Sequence, residues 1–403
     1  MKIKLPSALI ESINFCISNE KEFEHINIKQ KQKLNSKLIN LWYIIFSHQV
    51  DNFEKSLRHF VNISRNSFKP IKFYYKPKTY EYNELLNFLS KWKLIEINHK
   101  YCSPNSSNLR SNNHSPFSKS YKVKTNFLSQ TQFTEVEIDF EIIFRNTKKM
   151  EFWIDLYPEY KSLIIDSYNT TIQLDEFISW LYMNEGMELK GKLINGVFIQ
   201  RFLTPDRIIK YINTALKIQY KNLWFKVSKE GRFYSSFTNL PSVTLPFLQL
   251  YNEEIIELDV ANCQPLLLAH LIDNEEYKKD VEEGLFYSKM ASLIGWTTDR
   301  FKIMSYRYLF FSNRPLKGGL IYKALNQMYP NLVDQINNLK KENKLAVMLQ
   351  KIESEIFVKK IGVLPFKKIT RHDSVMTTRD NYDDLKKIIR DEFSNLNLSV
   401  TLK

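Results

Sequence analysis

One stretch places an acid where a folded chain can least absorb it. The apolar run Ile255-Ile256-Glu257-Leu258 ends in Asp259. Val260-Ala261-Asn262-Cys263-Gln264-Pro265 then leads into the apolar helical pattern Leu266-Leu267-Leu268-Ala269-His270-Leu271. A carboxylate at the mouth of a buried strand is costly to desolvate, so it needs a cation or hydrogen-bond donors. Downstream, Phe366-Lys-Lys-Ile-Thr-Arg371 and Ser374-Val-Met-Thr-Thr378 read as two strands joined by a tight turn at His372-Asp373. A hairpin tip of this kind pushes Asp373 out of the sheet, where it can meet Asp259 from a neighbouring strand.

Composition sets the surroundings of this pair. The chain has 403 residues, enough for two or three domains, and is 43% hydrophobic and 25% charged, an ordinary globular balance. Its 58 Lys and Arg exceed 44 Asp and Glu, a formal net charge of +14. That surplus favours a polyanionic partner, nucleic acid above all, and also fits a merely soluble Lys-rich surface. Cys16, Cys102 and Cys263 lie far apart and form no CxxC pair, which argues against a disulfide framework or a zinc module and fits a reducing compartment. The first residues are a poor signal peptide, with Glu11 and Asn14 inside the apolar region. No apolar run approaches the roughly 20 residues that span a bilayer. The expectation is a soluble, cytoplasmic protein with no membrane contact. Nine glycines form neither a Walker-type loop nor GxGxxG.

Three segments emerge. Residues 1–130 form an N-terminal region with a buried helix at Leu38 to Phe46 and a second helical pattern at Tyr82 to Trp92. Two strand-like stretches follow, Leu94 to Tyr101 and Ser120 to Thr125, around a Ser- and Asn-rich loop. Helix, strand, basic loop, strand is the order of a winged helix, a nucleic-acid or partner-binding unit. Residues 131–230 read as a linker and thumb-like helices, with amphipathic patterns at Phe177 to Met183 and Arg207 to Leu223. Glu135-Val-Glu-Ile-Asp139-Phe-Glu141 carries the Asp-x-Glu of a proofreading exonuclease strand, but too little chain follows for such a domain, and a charged edge strand or linker is the expectation. Residues 231–403 carry the chemistry.

There four blocks follow one another: Gly231-Arg232 through Asn239-Leu240-Pro241, the Asp259 segment, Arg300 to Phe310, and the His372-Asp373 turn. In the third block Lys302, Tyr306 and Phe310 are spaced i, i+4, i+8, one stripe on a helix. A Lys with aromatics along its stripe can hold a triphosphate and stack on a base or sugar, although alone the pattern also fits an ordinary amphipathic helix. Two carboxylates at strand ends suit a pair of Mg²⁺ ions, or Mn²⁺ in their place, because hard cations take oxygen ligands. Such a pair can activate a primer 3′-hydroxyl and stabilise leaving pyrophosphate.

Taken together, the blocks resemble those of family A DNA polymerases in order and internal spacing, over roughly the last 175 residues. The resemblance implies that Asp259 and Asp373 hold the metals, with the Val260 carbonyl a third ligand. It assigns Lys302 to the triphosphate, and Gln264, Tyr306, Phe310 and Arg300 to the nucleotide. Arg232 and His372 would hold the primer end, and Gln350 would lie on the template side. Helix Tyr382 to Phe393 and a final strand Leu398 to Leu402 resemble the family's C-terminal end.

The departures are specific. Gln264 stands where the family has a bulky Glu that excludes the ribose 2′-hydroxyl, and Phe310 where it has that residue's Tyr partner. Ser374 replaces a second acid, which resembles single-subunit phage RNA polymerases. Thr298 replaces an Arg that Arg300 could substitute, and the Lys302 to Asp373 interval is short, which implies reduced fingers.

The expected fold is α+β, a right-hand polymerase with an antiparallel palm sheet, reduced helical fingers, a thumb-like helical region and a separate, mainly helical N-terminal domain. The expected activity is template-directed nucleotidyl transfer, a compact DNA polymerase acting on primer-template DNA and nucleoside triphosphates. Primer or RNA synthesis, template-independent tailing, and a non-catalytic DNA-binding replication protein are the alternatives.

Overall fold

The computed structural model describes residues 2–51, 60–63, 65–75, 78–99, 119–124, 132–139, 148–194, 197–342 and 344–403. The Ser- and Asn-rich loop, Cys102 and Glu141 lie outside the described residues. The chain is α+β, with small antiparallel sheets among many helices. It divides into two units, one of residues 1–147 with 204–222 and one of residues 148–203 with 223–403. This division cuts across the three segments read from the sequence, because helix Pro205–Gln219 belongs to the first unit. Among the described residues no helix is long and apolar enough to cross a membrane.

The first unit contains strands β1 (Lys2–Pro6), β2 (Val61–Asn62), β3 (Phe73–Tyr75), β4 (Lys78–Tyr80), β5 (Ile95–Asn98), β6 (Ser120–Val123) and β7 (Phe133–Glu137). Its helices include α1 (Ser7–Asn19), α2 (Ile28–Asp51), α3 (Arg65–Phe68) and α4 (Tyr82–Lys91). Leu34, Leu38, Leu41, Trp42 and Ile45 recur at helical spacing on α2 and are buried. Glu81 and Glu84 form a reciprocal capping box that fixes where α4 begins. β2, β6 and β5 form an antiparallel sheet with β6 in the middle. β7 pairs with β1 as a two-stranded ribbon with Glu135 and Glu137 exposed, the charged edge strand expected there. Among its described residues, seven short strands accompany helices that hold most of the ordered backbone, so the unit is α+β. Short strands bounded by turns leave little helical or alternating pattern to read in the chain.

In the second unit, strand β8 (Ile256–Asp259) pairs antiparallel with β10 (Ser374–Thr377), which pairs with β9 (Lys368–Arg371). Around this sheet stand α5 (Cys263–Ala269), α6 (Thr298–Ser305), α7 (Leu345–Ser354) and α8 (Arg379–Ser394). α8 buries Leu385, Ile389 and Phe393, spaced i, i+4, i+8, in the unit's core.

Two expectations change here. The thumb-like helices read within residues 131–230 are interrupted by a hairpin, Glu188–Ile194 with Val197–Phe202, which packs against α6. Gly186, at φ 84°, turns the chain where Leu174–Met183 ends and a right-handed helix cannot continue. The final strand read at Leu398 to Leu402 is one bridge, Val260 to Leu402. Asn397 turns left-handed at φ 56°, and the Leu398 N–H returns to the Phe393 carbonyl at 3.0 Å, so closing α8 consumes the residues a strand would need.

Candidate active site

Sheet register brings the two sequence-predicted acids together. Asp259, the last residue of β8, lies opposite Ser374, and the Val260 N–H donates to the Asp373 carbonyl at 3.2 Å. His372, left-handed at φ 54°, makes the turn that sets Asp373 beside Asp259. The chain's end closes the other side: the Asp259 N–H donates to the Lys403 carbonyl at 3.2 Å and its carbonyl accepts from the Lys403 N–H at 3.0 Å. Burial raises the Asp259 carboxyl to about 6, the charges of Asp373 and Glu257 push in the same direction, and Lys302 and Lys403 oppose them. Burial likewise raises Asp373, against its own backbone N–H, Lys302 and Arg232. Among the described residues no donor hydrogen-bonds the Asp259 carboxylate. It is half-buried, and its partial loss of water calls for the cation that the sequence implied.

A third acid was missed. Residues two apart on a strand share a face, so Glu257 accompanies Asp259. Its Oε1 accepts from the Ser374 hydroxyl at 2.7 Å and from Arg371 at 3.0 Å. Arg371 also donates to the Leu240 carbonyl at 3.1 Å, tying the turn to the segment that begins at Gly231. Ser374 is therefore a donor that fixes Glu257. The Ile255-Ile256-Glu257-Leu258-Asp259 alternation carried the signal, because it sets both acids on one side.

A fourth acid comes from α7. Glu353 is buried, with 3% of its side chain exposed, and accepts from Arg232 at 2.7 Å. It also accepts from the amide of Gln264 on α5, which packs against α7. Burial pushes Glu353 up to about 7, with Arg232 opposing and Asp373 reinforcing the rise. Gly231 holds φ 84°, the left-handed turn that delivers Arg232. Sequence reading passed over Glu353 although it sits among Leu349, Ile352 and Ile356, where a helical pattern calls for an apolar residue.

α6 starts with the Thr297 hydroxyl accepting from the Arg300 N–H at 3.3 Å. The Lys302 charge lowers both Asp259 and Asp373, and its Nζ lies 5.5 Å from the Tyr287 ring centre. The i, i+8 stripe does not survive. Residues Tyr306–Phe310 form a π-helical turn, and the Phe311 N–H reaches back to the Tyr306 carbonyl at 2.8 Å. The wider turn accompanies a Phe310 that lies in the core, 1% exposed, off the stripe expected to face the nucleotide. Tyr306 stays half-buried, 5.7 Å from the Phe310 ring and within the field of Asp373.

The remaining residues are placed as follows. Arg300 is exposed, with its guanidinium 4.3 Å over Trp296, and no described contact joins it to the acids. Gln350 is half-buried on α7, one turn before Glu353. The His372 ring lies 5.3 Å from that of Tyr234. Burial, with help from Arg232 and Arg371, lowers His372 to about 4, so its imidazole is neutral at neutral pH.

The chain has a polymerase domain among its distant structural likenesses. The chain is similar to the POL domain of Pol1 from M. smegmatis, solved in complex with DNA primer-template and dNTP, at TM-score 0.38 and 11% identity over 65% of this chain and 72% of that one. No family model and no curated protein matches the chain. Among the described residues no group of three or more His, Cys, Asp or Glu is arranged to hold a metal ion. Glu257 and Glu353 are already taken by Arg371 and Ser374, and by Arg232 and Gln264, which leaves Asp259 and Asp373 as the open carboxylates.

Proposed function

We propose that residues 148–203 with 223–403 form a compact right-hand polymerase core that transfers nucleotides to a 3′-hydroxyl on primer-template DNA. The observation that carries this reading is the juxtaposition of Asp259, at the end of its strand, and Asp373, in the turn beside it, both half-buried, both raised, with Lys302 acting on the two together. Two half-buried carboxylates set together, that of Asp259 without a donor among the described residues, fit Mg²⁺ or Mn²⁺ by the chemistry of the ligand set. Bound there, with the Val260 carbonyl as a further oxygen, such ions supply Lewis-acid activation of the hydroxyl and charge neutralisation on the pyrophosphate.

The chain's own residues do the positioning. Lys302 faces the developing charge of the triphosphate, and Tyr306 presents its ring to the incoming nucleotide. Arg232, held by Glu353, and the neutral His372 bracket the primer end. Gln350 lies toward the template. Catalysis of this kind rests on alignment and fixed charge.

A second reading concerns the sugar. Gln264 is buried and donates its amide to Glu353, while Phe310 is in the core. Glu353, from a different helix, thus engages the Gln264 amide. This pairing favours a relaxed sugar gate and ribonucleotide incorporation beside deoxynucleotide incorporation.

Primer extension with labelled deoxy- and ribonucleotides, with and without template, tests both. Mg²⁺-dependent extension that disappears in Asp259→Ala and Asp373→Ala supports the reading. Wild-type-level extension by either variant overturns it.

A further inference from the structure

The positive charge is not spread evenly. Residues 1–147 with 204–222 hold 26 Lys and Arg against 14 Asp and Glu, a surplus of +12, while the rest of the chain sits at +2. The unit that carries the candidate active site is therefore nearly neutral, and the polyanion signal belongs to the other one. Several acids there are already matched: Glu20 by Lys91, Glu22 and Glu84 by Lys78, Glu81 by Lys72, and Glu96 by Lys122 and Lys124. Arg65 and Lys69, one turn apart at α3, are exposed and have no ion-pair partner among the described residues. The same holds for Lys29 and Lys33 on α2.

Topology supplies a second observation. The order α2, β2, α3, α4, β5, β6, with β6 between β2 and β5, is that of a winged helix into which the β3–β4 hairpin is inserted between α3 and α4. α3 and α4, with that hairpin between them, precede the β5–β6 pair, and α4 has two distinct sides. It buries Tyr82, Leu85, Leu86 and Leu89, and it exposes Asn83 and Asn87, spaced i, i+4. Neither amide has a hydrogen-bond partner among the described residues. An α-helix fits the major groove, and Asn amides there can pair with adenine through one donor and one acceptor.

We infer that this N-terminal unit binds duplex DNA. α4 enters the major groove with Asn83 and Asn87 toward base edges, and Arg65 and Lys69 meet phosphates. The inference stands independently of catalysis at Asp259 and Asp373, since it concerns binding without nucleotide or metal.

The test uses the full chain, a fluorescein-labelled duplex of random sequence, the matching single strand and a duplex RNA, all without nucleotide or Mg²⁺. Duplex DNA should bind most tightly, with an affinity that falls as salt rises. Arg65→Glu with Lys69→Glu should weaken that binding by about tenfold or more and flatten the salt dependence, at unchanged thermal stability. Unchanged duplex affinity in this variant, or tighter binding of single strand or RNA, overturns the inference. Selection from a random duplex pool examines base reading: Asn83→Ala with Asn87→Ala should lose the motif that the natural chain enriches. Enrichment of the same motif by both proteins would remove α4 from the groove.

Discussion

Arg232 donates to Glu353 at 2.7 Å, joining residues 121 positions apart on two different elements. Both side chains are largely shielded, at 12% and 3% exposure, so each is the other's main compensation for leaving water. The pair also fixes the Gln264 amide, which makes Glu353 the link between the expected primer contact and the expected sugar contact.

Removing one member should therefore cost more than removing a surface ion pair. Arg232→Ala leaves a buried carboxylate without its cation and is expected to lose about 3–5 kcal/mol of stability. Urea denaturation at neutral pH measures it, and a loss below about 1 kcal/mol, the range of exposed pairs, would show that water reaches Glu353.

Glu353 also predicts a pH dependence. Its folded pKa of about 7 lies above the ordinary 4.5, so between these values the folded state holds the proton longer than the unfolded chain does. The native state then binds more protons, and stability falls as pH rises from about 4.5 to about 7. Glu353→Gln cannot titrate, so its melting temperature should fall less than that of the natural chain across this window. Parallel curves for the two proteins would contradict the burial of this carboxylate.

Burial of the Asp259 carboxyl, with the charge of Asp373 adding to it, makes the site unstable by construction. With Asp259 raised to about 6 from 3.8, ionising it above that range weighs against the fold. Asp259→Asn should raise the melting temperature at pH 8 while abolishing nucleotide incorporation, the usual opposition between site chemistry and stability. Mg²⁺ should raise the melting temperature of the natural chain and leave that of the variant unchanged. Equal metal-dependent shifts would place the ion elsewhere.

Phe310 separates the sequence reading from the structural one. On a continuous α-helix a Tyr here would face the nucleotide, and Phe310→Tyr would change sugar discrimination with little effect on stability. In the core it buries a hydroxyl without a partner, at a cost of about 1–3 kcal/mol. Thermal unfolding beside a ribonucleotide-to-deoxynucleotide incorporation ratio distinguishes the two.

Much of the second unit was legible because its signals are local. The Asp259 run, the turn at His372 and the apolar stripe of α8 each follow from neighbours within a few positions, where backbone periodicity decides which side chains share a face. Glu353 and Glu257 were not legible as site residues. An acid in an apolar pattern shows that something must compensate it, but its partner is chosen by packing between distant elements.

The sequence by itself determined that Asp259 ends a strand and Asp373 sits in a turn between two others, that Lys302 and Tyr306 begin one helical stripe, and that the chain carries surplus positive charge. Tertiary structure decided the rest. Hydrogen-bond register set Asp259 against the turn, a π-helical widening accompanied the place of Phe310 in the core, off the stripe, and the packing of α5 on α7 brought Glu353 to Gln264 and Arg232. Each of these depends on which backbones and surfaces meet, an energy shared among residues far apart in the chain and therefore written in no single stretch of it.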